Sequence, residues 1–304
     1  MQPPSLPVVP TGSGPFNPAT GIPYAKGHVR HPNKDHLIAL SARRHGKRLQ
    51  SMLIAAPTPA IWDSKVQGWI GPIKDQGQCG SCWDFSGTRT CEVAYFKAGV
   101  FPTDGSKLLS EQYTLSCGKN GGCNGDDNVS VLDWAKSTGL PLTSDYGPYK
   151  ASAGSCAFKP SMTLYKIDDW GFADGNGGSG VTPTPAIKAA IMMYGGVGCA
   201  VAAGGSTFWN DGQGVDHGSS SSIDHDVFLR GWDDSKGKVS ALVGPGNAGI
   251  KASSTTAWLM DNSWGESWGV QGSAWMAEGA DAIGTEAVWA VIHSSNPPID
   301  WGQA

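Results

Sequence analysis

Two cysteines three positions apart stand directly in front of a predicted helix, and this arrangement constrains the chain more than any other feature. The stretch reads Lys74-Asp-Gln-Gly-Gln-Cys-Gly-Ser-Cys-Trp83. The helix is predicted to begin at Cys82 and to end at Gly99, because glycine is a common helix stop. Such a pair has three interpretations: half of a zinc site, a redox pair, or a structural cysteine beside a nucleophilic one.

The surrounding sequence argues against the first two interpretations. Zinc needs further ligands at a paired spacing, but five residues separate Cys117 from Cys123 and no histidine lies near them in the chain. A thioredoxin-type motif would follow a strand, whereas the segment before Cys79 is broken by Gly and Pro. In the third interpretation Cys82 lies at a helix N-terminus, which favours the thiolate. Gln76 then joins the backbone N–H of Cys82 in a two-donor oxyanion hole.

At this point the sequence resembles the active-site signature of the papain/cathepsin family of cysteine peptidases. That family has a histidine about 130–150 residues beyond its cysteine, and His225 lies 143 positions after Cys82. The stretch that begins Asn262-Ser-Trp-Gly resembles the family's second signature, in which Asn orients the histidine and the Trp, here Trp264, shields the pair. The resemblance covers about residues 58–304. It implies these catalytic residues: Cys82 as nucleophile, His225 as proton-transfer partner, Asn262 as orienting residue and Gln76 as oxyanion donor.

Two histidines compete for the proton-transfer role, because His217 and His225 both follow an aspartate. Only His225 leads into an apolar strand that ends at Gly231-Trp232, as the family's histidine does. His217 precedes a Ser/Gly run and is predicted to be a solvated loop residue. The other histidines are expected on the surface or in the N-terminal tail.

The resemblance also implies the residues that contact substrate. Asp126, Asp127 and Asp226 are expected to line or rim the pocket for the second side chain before the cut bond. Three carboxylates predict a pocket that accepts Lys or Arg better than Leu or Phe, and the alternative is that they face solvent. The full set of implied substrate-binding residues is Gly125, Asp126, Asp127, Asp224, Asp226 and Trp264.

The seven cysteines divide into three groups under the resemblance. It implies two disulfides, Cys79–Cys123 and Cys117–Cys156, and leaves Cys82 for catalysis. Cys91 and Cys199 are predicted to be buried thiols, with a bridge between them as the alternative. Two disulfides indicate an oxidising compartment, so we expect a secreted or lumenal, lysosome-like protein, although no apolar signal-peptide core is visible in the chain.

Two departures from the family pattern concern the site. Asp84 stands directly after Trp83, where the family has a small residue, and places a carboxylate at the start of the active-site helix. It either helps the helix dipole or unsettles the packing. The gap of 37 positions from His225 to Asn262 is longer than usual and predicts an inserted loop over 234–256.

Helical patterns come first in the chain and strand patterns later, which predicts an α+β fold. The resemblance implies a papain-like two-subdomain fold, with the cleft between a helical half at about 76–165 and an antiparallel, β-barrel-like half at about 166–298. Helices are predicted over 35–54, 82–99, 110–116, 128–138 and 184–194, the last with Thr184 as N-cap. Strands are predicted over 197–202, 226–231, 257–262, 273–276 and 287–293.

Residues 1–57 differ in composition from the rest of the chain. A stretch rich in Pro, Gly and Thr precedes a basic one in which His alternates with Lys and Arg. Three interpretations remain open: a flexible tail, a short inhibitory or folding-assisting pro-segment, and a nucleic-acid-binding arm.

Charge and hydropathy exclude some function classes for the chain as a whole. A net charge of −4 gives no support for a nucleic-acid partner, and no stretch approaches the ~18 apolar residues of a membrane span. We expect a monomeric cysteine endopeptidase that acts on peptide or protein substrates and needs no metal or organic cofactor. The alternatives are a catalytically silent papain-like binding or structural protein, and a peptide ligase or transpeptidase.

Overall fold

Helix α2 forms the boundary between a helical half and a sheet. The computed structural model describes residue 17 and residues 20–55, 58–118, 121–204, 215–237 and 255–293. Its α-helices are α1 (Lys34–Ala55), α2 (Cys82–Lys97), α3 (Glu111–Cys117), α4 (Asn128–Ser137), α5 (Thr143–Tyr146) and α6 (Thr184–Tyr194). Its strands are β1 (Ile61–Asp63), β2 (Asp169–Phe172), β3 (Val197–Val201), β4 (Val215–Asp216), β5 (His225–Asp233), β6 (Ala257–Asp261), β7 (Ser273–Ala277) and β8 (Thr285–Val291).

The strands form one open sheet in the order β2-β8-β3-β5-β6-β7-β4, with β1 paired to the far end of β5. All described pairings are antiparallel except that of β4 with β7. The α+β class is therefore confirmed. The β half is not closed into a barrel, because its two end strands, β2 and β4, do not pair with each other in the described part of the chain.

Helix α2 is buried on all sides, with every residue from Cys82 to Phe96 buried. A helix enclosed by its own protein shows no polar face, and here its small residues allow close packing against the sheet. A Cβ at Gly198 of β3 would lie 2.7 Å from both Ser86 Oγ and Thr90 Oγ1, so β3 needs glycine at this crossing. Ser86 Oγ also donates to Val227 O at 2.9 Å. The start of α2 is thus fixed against β5.

A buried ion network joins the two halves behind the site. Asp261, at the end of β6, accepts from Arg89 of α2 at 2.9 Å, from Arg230 of β5 at 2.8 Å and from Ser273 of β7 at 2.7 Å. The three charged side chains are at most 8% exposed. Since removing one partner of a buried ion pair leaves an uncompensated charge, this network fixes α2 relative to β5 and β6.

The longer elements lie where the sequence predicts them, and the short ones were missed. The predicted helices correspond to α1, α2, α3, α4 and α6, and the predicted strands to β3, β5, β6, β7 and β8. The missed elements, α5, β1, β2 and β4, have two to four residues, too few for a periodic pattern. Thr184 is the first residue of α6 and not its N-cap, which is Pro183. Most of the predicted inserted loop lies outside the described residues, which omit 238–254.

Helix α1 packs against the β half. Ile38 and Leu49 are 1% and 2% exposed, and Ser41 Oγ accepts from the backbone N–H of Phe172 in β2 at 2.8 Å. A Cβ at Gly46 would lie 2.5 Å from the carbonyl oxygen of Gly175, so the helix backbone touches the loop after β2. The chain reaches α1 through residues 22–31, which we call the cleft segment.

Candidate active site

Cys82 is the first residue of α2 and is fully buried. Its backbone N–H belongs to the first turn, where helix amides have no intrahelical partner. Gln76 lies beside it. The side-chain oxygen of Gln76 accepts from Ser263 Oγ at 2.6 Å, and its backbone N–H donates to Ser263 O at 2.8 Å. Ser263 therefore fixes the direction in which the Gln76 amide N–H points.

His225 begins β5, and Asn262 directly follows the neighbouring strand β6. His225 Nε2 lies 2.8 Å from Asn262 Oδ1. An amide oxygen only accepts, so Nε2 carries a proton, and Nδ1 is the nitrogen left to exchange one in the neutral ring. The Trp264 ring stacks on the imidazole at 4.6 Å between centroids. The predicted orienting and shielding residues thus both contact His225.

The N-terminal part of the cleft segment crosses these residues. Ala25 O accepts from both Gln76 Nε2 and Trp264 Nε1 at 3.1 Å. The backbone N–H of Gly27 donates to Cys82 Sγ at 3.2 Å. The Tyr24 ring stacks on the Trp264 ring at 4.5 Å between centroids. The Cys82 sulfur therefore faces the backbone N–H of Gly27. The carbonyl that contacts the Gln76 side chain is that of Ala25, which belongs to a different peptide group of the segment.

The C-terminal part of the cleft segment pairs with the helical half. Asp126 N donates to Gly27 O at 3.0 Å, and Val29 N donates to Asp126 O at 2.8 Å, which is a parallel bridge between His28 and Asp126. The backbone N–H of His28 donates to Asp224 O at 3.2 Å. In chain order the cleft segment runs from Trp264, past Cys82, to Asp126.

The cleft segment comes closest to the rest of the protein at Gly27, where the neighbouring residues Gly80 and Gly125 are also glycines. A Cβ at Gly27 would lie 1.9 Å from the carbonyl oxygen of Gly80, and a Cβ at Gly80 would lie 2.7 Å from Lys26 O. Gly125 has φ +103°, a conformation that favours glycine, and a Cβ there would lie 2.6 Å from Gly27 O. No larger residue fits at position 27 while the segment stays in place.

Burial controls the ionisation of the central residues. Burial, reinforced by the charge of Asp226, raises the pKa of Cys82 well above its ordinary value. Burial lowers the pKa of His225 to about 4. Both effects favour the neutral thiol and the neutral imidazole over the ion pair. Burial likewise raises the pKa of Asp84 well above its usual range, so this side chain is favoured as the neutral acid and brings little charge to the helix start.

Among the acidic residues predicted to contact substrate, Asp226 is the one whose carboxylate faces the His28 side chain, with His28 Nδ1 2.8 Å from Asp226 Oδ2. Asp127 is the N-cap of α4 and accepts both contacts of Lys34 Nζ at 2.8 Å. The Asp126 carboxylate accepts from Ser130 Oγ at 2.9 Å and from neighbouring backbone N–H groups. Asp126 meets the segment through its backbone, as given above. Asp224 meets it through its backbone carbonyl and through its carboxylate, which pairs with Lys26 Nζ at 2.7 Å.

Other predictions have mixed outcomes. The disulfides are Cys79–Cys123 and Cys117–Cys156, the pairs that the resemblance implies, and Cys91 and Cys199 are free and buried. The prediction that His217 is solvated is wrong. His217 is 4% exposed, because it directly follows β4, which pairs with β7. Its Nδ1 lies 3.1 Å from Val215 O.

Four residues at the site were not predicted: Ser263, Gly27, His28 and Lys34. Ser263 lies inside the second signature, so its position beside Asn262 was a usable signal. The other three lie in the N-terminal region, where composition alone gives no indication of which residue enters the cleft. In the described part of the chain no cluster of three or more His, Cys, Asp or Glu side chains is arranged to hold a metal ion. None of the described helices combines the length and apolar character needed to cross a membrane.

Comparisons with known proteins identify the family of the chain. The family model described as "Papain family cysteine protease" matches residues 58–291. A cathepsin L-like peptidase of Aedes aegypti is 32% identical over 75% of this chain and 61% of its own length. Procathepsin L of Mus musculus is 28% identical over 86% of this chain and 75% of its own. Vignain of Phaseolus vulgaris is 30% identical over 82% of this chain and 61% of its own length.

Two solved structures share the fold. Procathepsin L 3 of Tenebrio molitor larval midgut superposes with a TM-score of 0.62 at 23% identity, covering 78% of this chain and 71% of that one. The bromelain protease from Ananas comosus was solved with the E64 inhibitor. It superposes with a TM-score of 0.58 at 24% identity, and the match covers 77% of this chain and 99% of that one. The chain therefore belongs to the papain family of cysteine proteases. It spans about 61% of the length of the Aedes and Phaseolus relatives.

Proposed function

We propose that the protein is a cysteine endopeptidase that hydrolyses peptide bonds through an acyl-enzyme. One observation carries this proposal: Gln76 and Cys82 from one stretch, His225 from β5 and Asn262 from the end of β6 surround a cleft that already holds an extended peptide. A cleft that binds a peptide backbone through Asp126, Asp224 and Trp264 is suited to a peptide substrate.

In the proposed reaction the Cys82 thiol first passes its proton to His225 Nδ1. The resulting thiolate attacks the carbonyl carbon of the cut bond, and the electron pair of the C=O moves to oxygen. The Gln76 side chain and the Cys82 backbone N–H donate to that oxyanion. His225 gives its Nδ1 proton to the leaving amine, which leaves an acyl-enzyme on sulfur. His225 then takes a proton from water, whose oxygen displaces Cys82. Asn262 keeps the ring oriented by accepting from Nε2.

The cleft segment is proposed to hold the enzyme in a closed precursor form. A substrate must present one peptide's carbonyl carbon to sulfur and the same peptide's oxygen to Gln76. The segment presents the Gly27 N–H to sulfur and the Ala25 carbonyl to Gln76 instead. Residues before the cut bond would occupy the Asp126 side, so the segment runs opposite to a substrate. Both features protect it from cleavage by Cys82.

The cleft segment and α1 have different proposed roles. The cleft segment blocks the site, and α1 anchors it against β2. Lys34 fixes the junction, because its ammonium is 1% exposed and contacts Asp127 at 2.8 Å and Glu286 at 3.1 Å. The two disulfides and the procathepsin relatives are consistent with a secreted or lysosomal protein, and we propose an exported zymogen.

Intact mass spectrometry with a peptidyl epoxysuccinyl inhibitor tests the proposal. After gentle reduction at mildly acidic pH, wild type is expected to form one adduct slowly and Gly27→Leu to form it rapidly, whereas Gly27→Leu/Cys82→Ala forms none. Cleavage of a peptide panel should follow the same order. A folded Gly27→Leu variant that binds peptides but neither labels nor cleaves would contradict the proposal and favour a catalytically silent binding protein.

A further inference from the structure

The pocket that His28 fills contains a single buried carboxylate aimed at its occupant. His28 Nδ1 lies 2.8 Å from Asp226 Oδ2, and the two side chains are 5% and 0% exposed. The backbone of His28 lies between Asp224 O and Asp126, the groups that would hold a substrate backbone. A substrate residue at the same place would direct its side chain to the same carboxylate.

Asp226 has capacity for more than His28 provides. Its second oxygen, Oδ1, is buried and has no hydrogen-bond partner in the described part of the chain. A buried, unpaired carboxylate oxygen is costly. An imidazole offers a single N–H here, whereas an ammonium has three donors and a guanidinium five in a fork that matches a carboxylate. The unfilled acceptor therefore favours Arg or Lys over a neutral side chain.

The fixed charges around the pocket remain negative when the cleft segment leaves. Asp226, Asp127 and Glu286 carry three negative charges, and Lys34 is the cation that contacts two of them. Departure of the segment removes His28 and Arg30, the latter paired with Glu286 at 2.7 Å. The three carboxylates Asp226, Asp127 and Glu286 then have a net charge of −2 if Lys34 stays in place and −3 if Lys34 also leaves.

An apolar occupant would face an unfavourable choice at Asp226. Burial raises the pKa of Asp226, and the charge of His28 opposes that rise. Without a cation the carboxyl must either stay charged and unpaired or take up a proton. A site built to pair a charged group rejects an analogue that lacks it far more strongly than an apolar pocket rejects a missing methylene.

From this geometry we infer that the enzyme selects peptides with a positively charged residue, Arg or Lys, at the second position before the cut bond, and that Asp226 is the residue that selects it. This inference rests on the proposed peptidase function and names its substrate class. The sequence predicted that three acidic residues would select such a side chain, and the structure leaves Asp226 in that role. The Asp127 carboxylate contacts Lys34, and the Asp126 carboxylate accepts from Ser130 in the first turn of α4.

Fluorogenic dipeptides that share Arg next to the reporter and carry Arg, Lys, Leu or Phe at the second position provide the test. In the Gly27→Leu background, kcat/KM for Arg or Lys is expected to exceed that for Leu by at least about tenfold. Asp226→Asn should reduce that ratio by about tenfold or more, and the exposed control Asp104→Asn should leave it unchanged. Each ratio comes from a single protein sample, so the yield of folded enzyme cancels.

A second arm uses the full chain and does not depend on opening by Gly27→Leu. His28→Leu is expected to accelerate inhibitor labelling of Cys82 at least about fivefold, because Asp226 loses its partner, and His28→Lys is expected to label as slowly as wild type. A preference for Leu or Phe, an unchanged ratio in Asp226→Asn, or equal labelling of His28→Leu and His28→Lys would overturn the inference. Absence of cleavage of every substrate together with absence of adduct would instead overturn the peptidase function.

Discussion

The backbone N–H of Gly27 lies 3.2 Å from the sulfur of Cys82, and a Cβ at position 27 would lie 1.9 Å from the carbonyl oxygen of Gly80. The group that blocks the predicted nucleophile is thus held by an approach that glycine alone permits. The contact is between two backbones, so a larger side chain cannot rotate away from it.

Gly27→Leu is therefore expected to release the cleft segment. Overpacking costs about 1–3 kcal/mol, which corresponds to an open population and a Cys82 labelling rate about 5- to 150-fold higher. Stopped-time mass spectrometry of the inhibitor adduct measures the rate. Gly154→Ala is the matched control, since its Cβ would meet nothing nearer than 3.9 Å. Equal labelling of both variants would mean that the segment does not control access to the sulfur.

The His28–Asp226 pair gives a pH dependence of defined sign. Burial alone would lower the pKa of His28, but the charge and hydrogen bond of Asp226 outweigh it, with Asp127 adding to and Lys34 opposing the rise. A pKa raised in the closed form means that His28 stabilises closure fully below its free pKa of about 6.5 and loses that contribution as pH rises through the raised value.

His28→Gln should accordingly reduce hydrogen-exchange protection of residues 22–31 strongly at pH 5.5 and progressively less as pH rises. The comparison at each pH is with wild type under the same conditions, so the titrations of Cys82 and His225, common to both proteins, largely cancel. A loss of protection that is constant from pH 5.5 to 9 would show that His28 acts by packing and not by charge.

Ser263 is expected to be a positioning residue for the oxyanion donor. Gln76→Ala should lower kcat about 10²- to 10³-fold, the usual cost of an oxyanion donor. Ser263→Ala should lower kcat by about tenfold with little change in KM, because Gln76 keeps its N–H but loses the hydroxyl that orients it. Steady-state kinetics in the Gly27→Leu background measures both. The exposed Ser144→Ala serves as control, and an equal response of Ser144→Ala and Ser263→Ala would contradict this role.

Most of the proposed catalytic residues could be predicted from sequence because they lie in short local motifs. Cys82 and Gln76 share one stretch and Asn262 and Trp264 share another, and the resemblance of both stretches to the family's signatures identifies them. His225 was identified by its distance from Cys82 and by the apolar strand that follows it. The occupant of the cleft was not predictable, since the position of His28 depends on a pairing with Asp226 across 198 positions of sequence. Likewise the Ser/Gly run after His217 suggested that His217 is solvated, whereas the pairing of β4 with β7 buries this histidine.

Asp261 is expected to be the most sensitive point of the junction between the halves. Asp261→Asn leaves two buried guanidinium groups, those of Arg89 and Arg230, without their shared carboxylate, and such losses cost about 3–5 kcal/mol. Chemical denaturation should show this as a lower midpoint. Asp104→Asn, a change at an exposed loop carboxylate, should leave the midpoint unchanged. A loss below about 1 kcal/mol for Asp261→Asn would mean that the two halves are held together by apolar packing.

The order of elements predicts where activation cuts the chain. The cleft segment precedes α1, so a single cut between them removes the block without dislodging the helix. Residues 32 and 33 are exposed, whereas α1 buries Ile38 and Leu49 and supplies Lys34 to Asp127 and Glu286. Loss of α1 would uncover this apolar surface and leave both carboxylates without that cation. We therefore expect the active form to begin at residues 32–34 and to retain α1. N-terminal sequencing and intact mass of the inhibitor-labelled enzyme measure this directly. An active species that begins after residue 55 would show that α1 is discarded with the cleft segment.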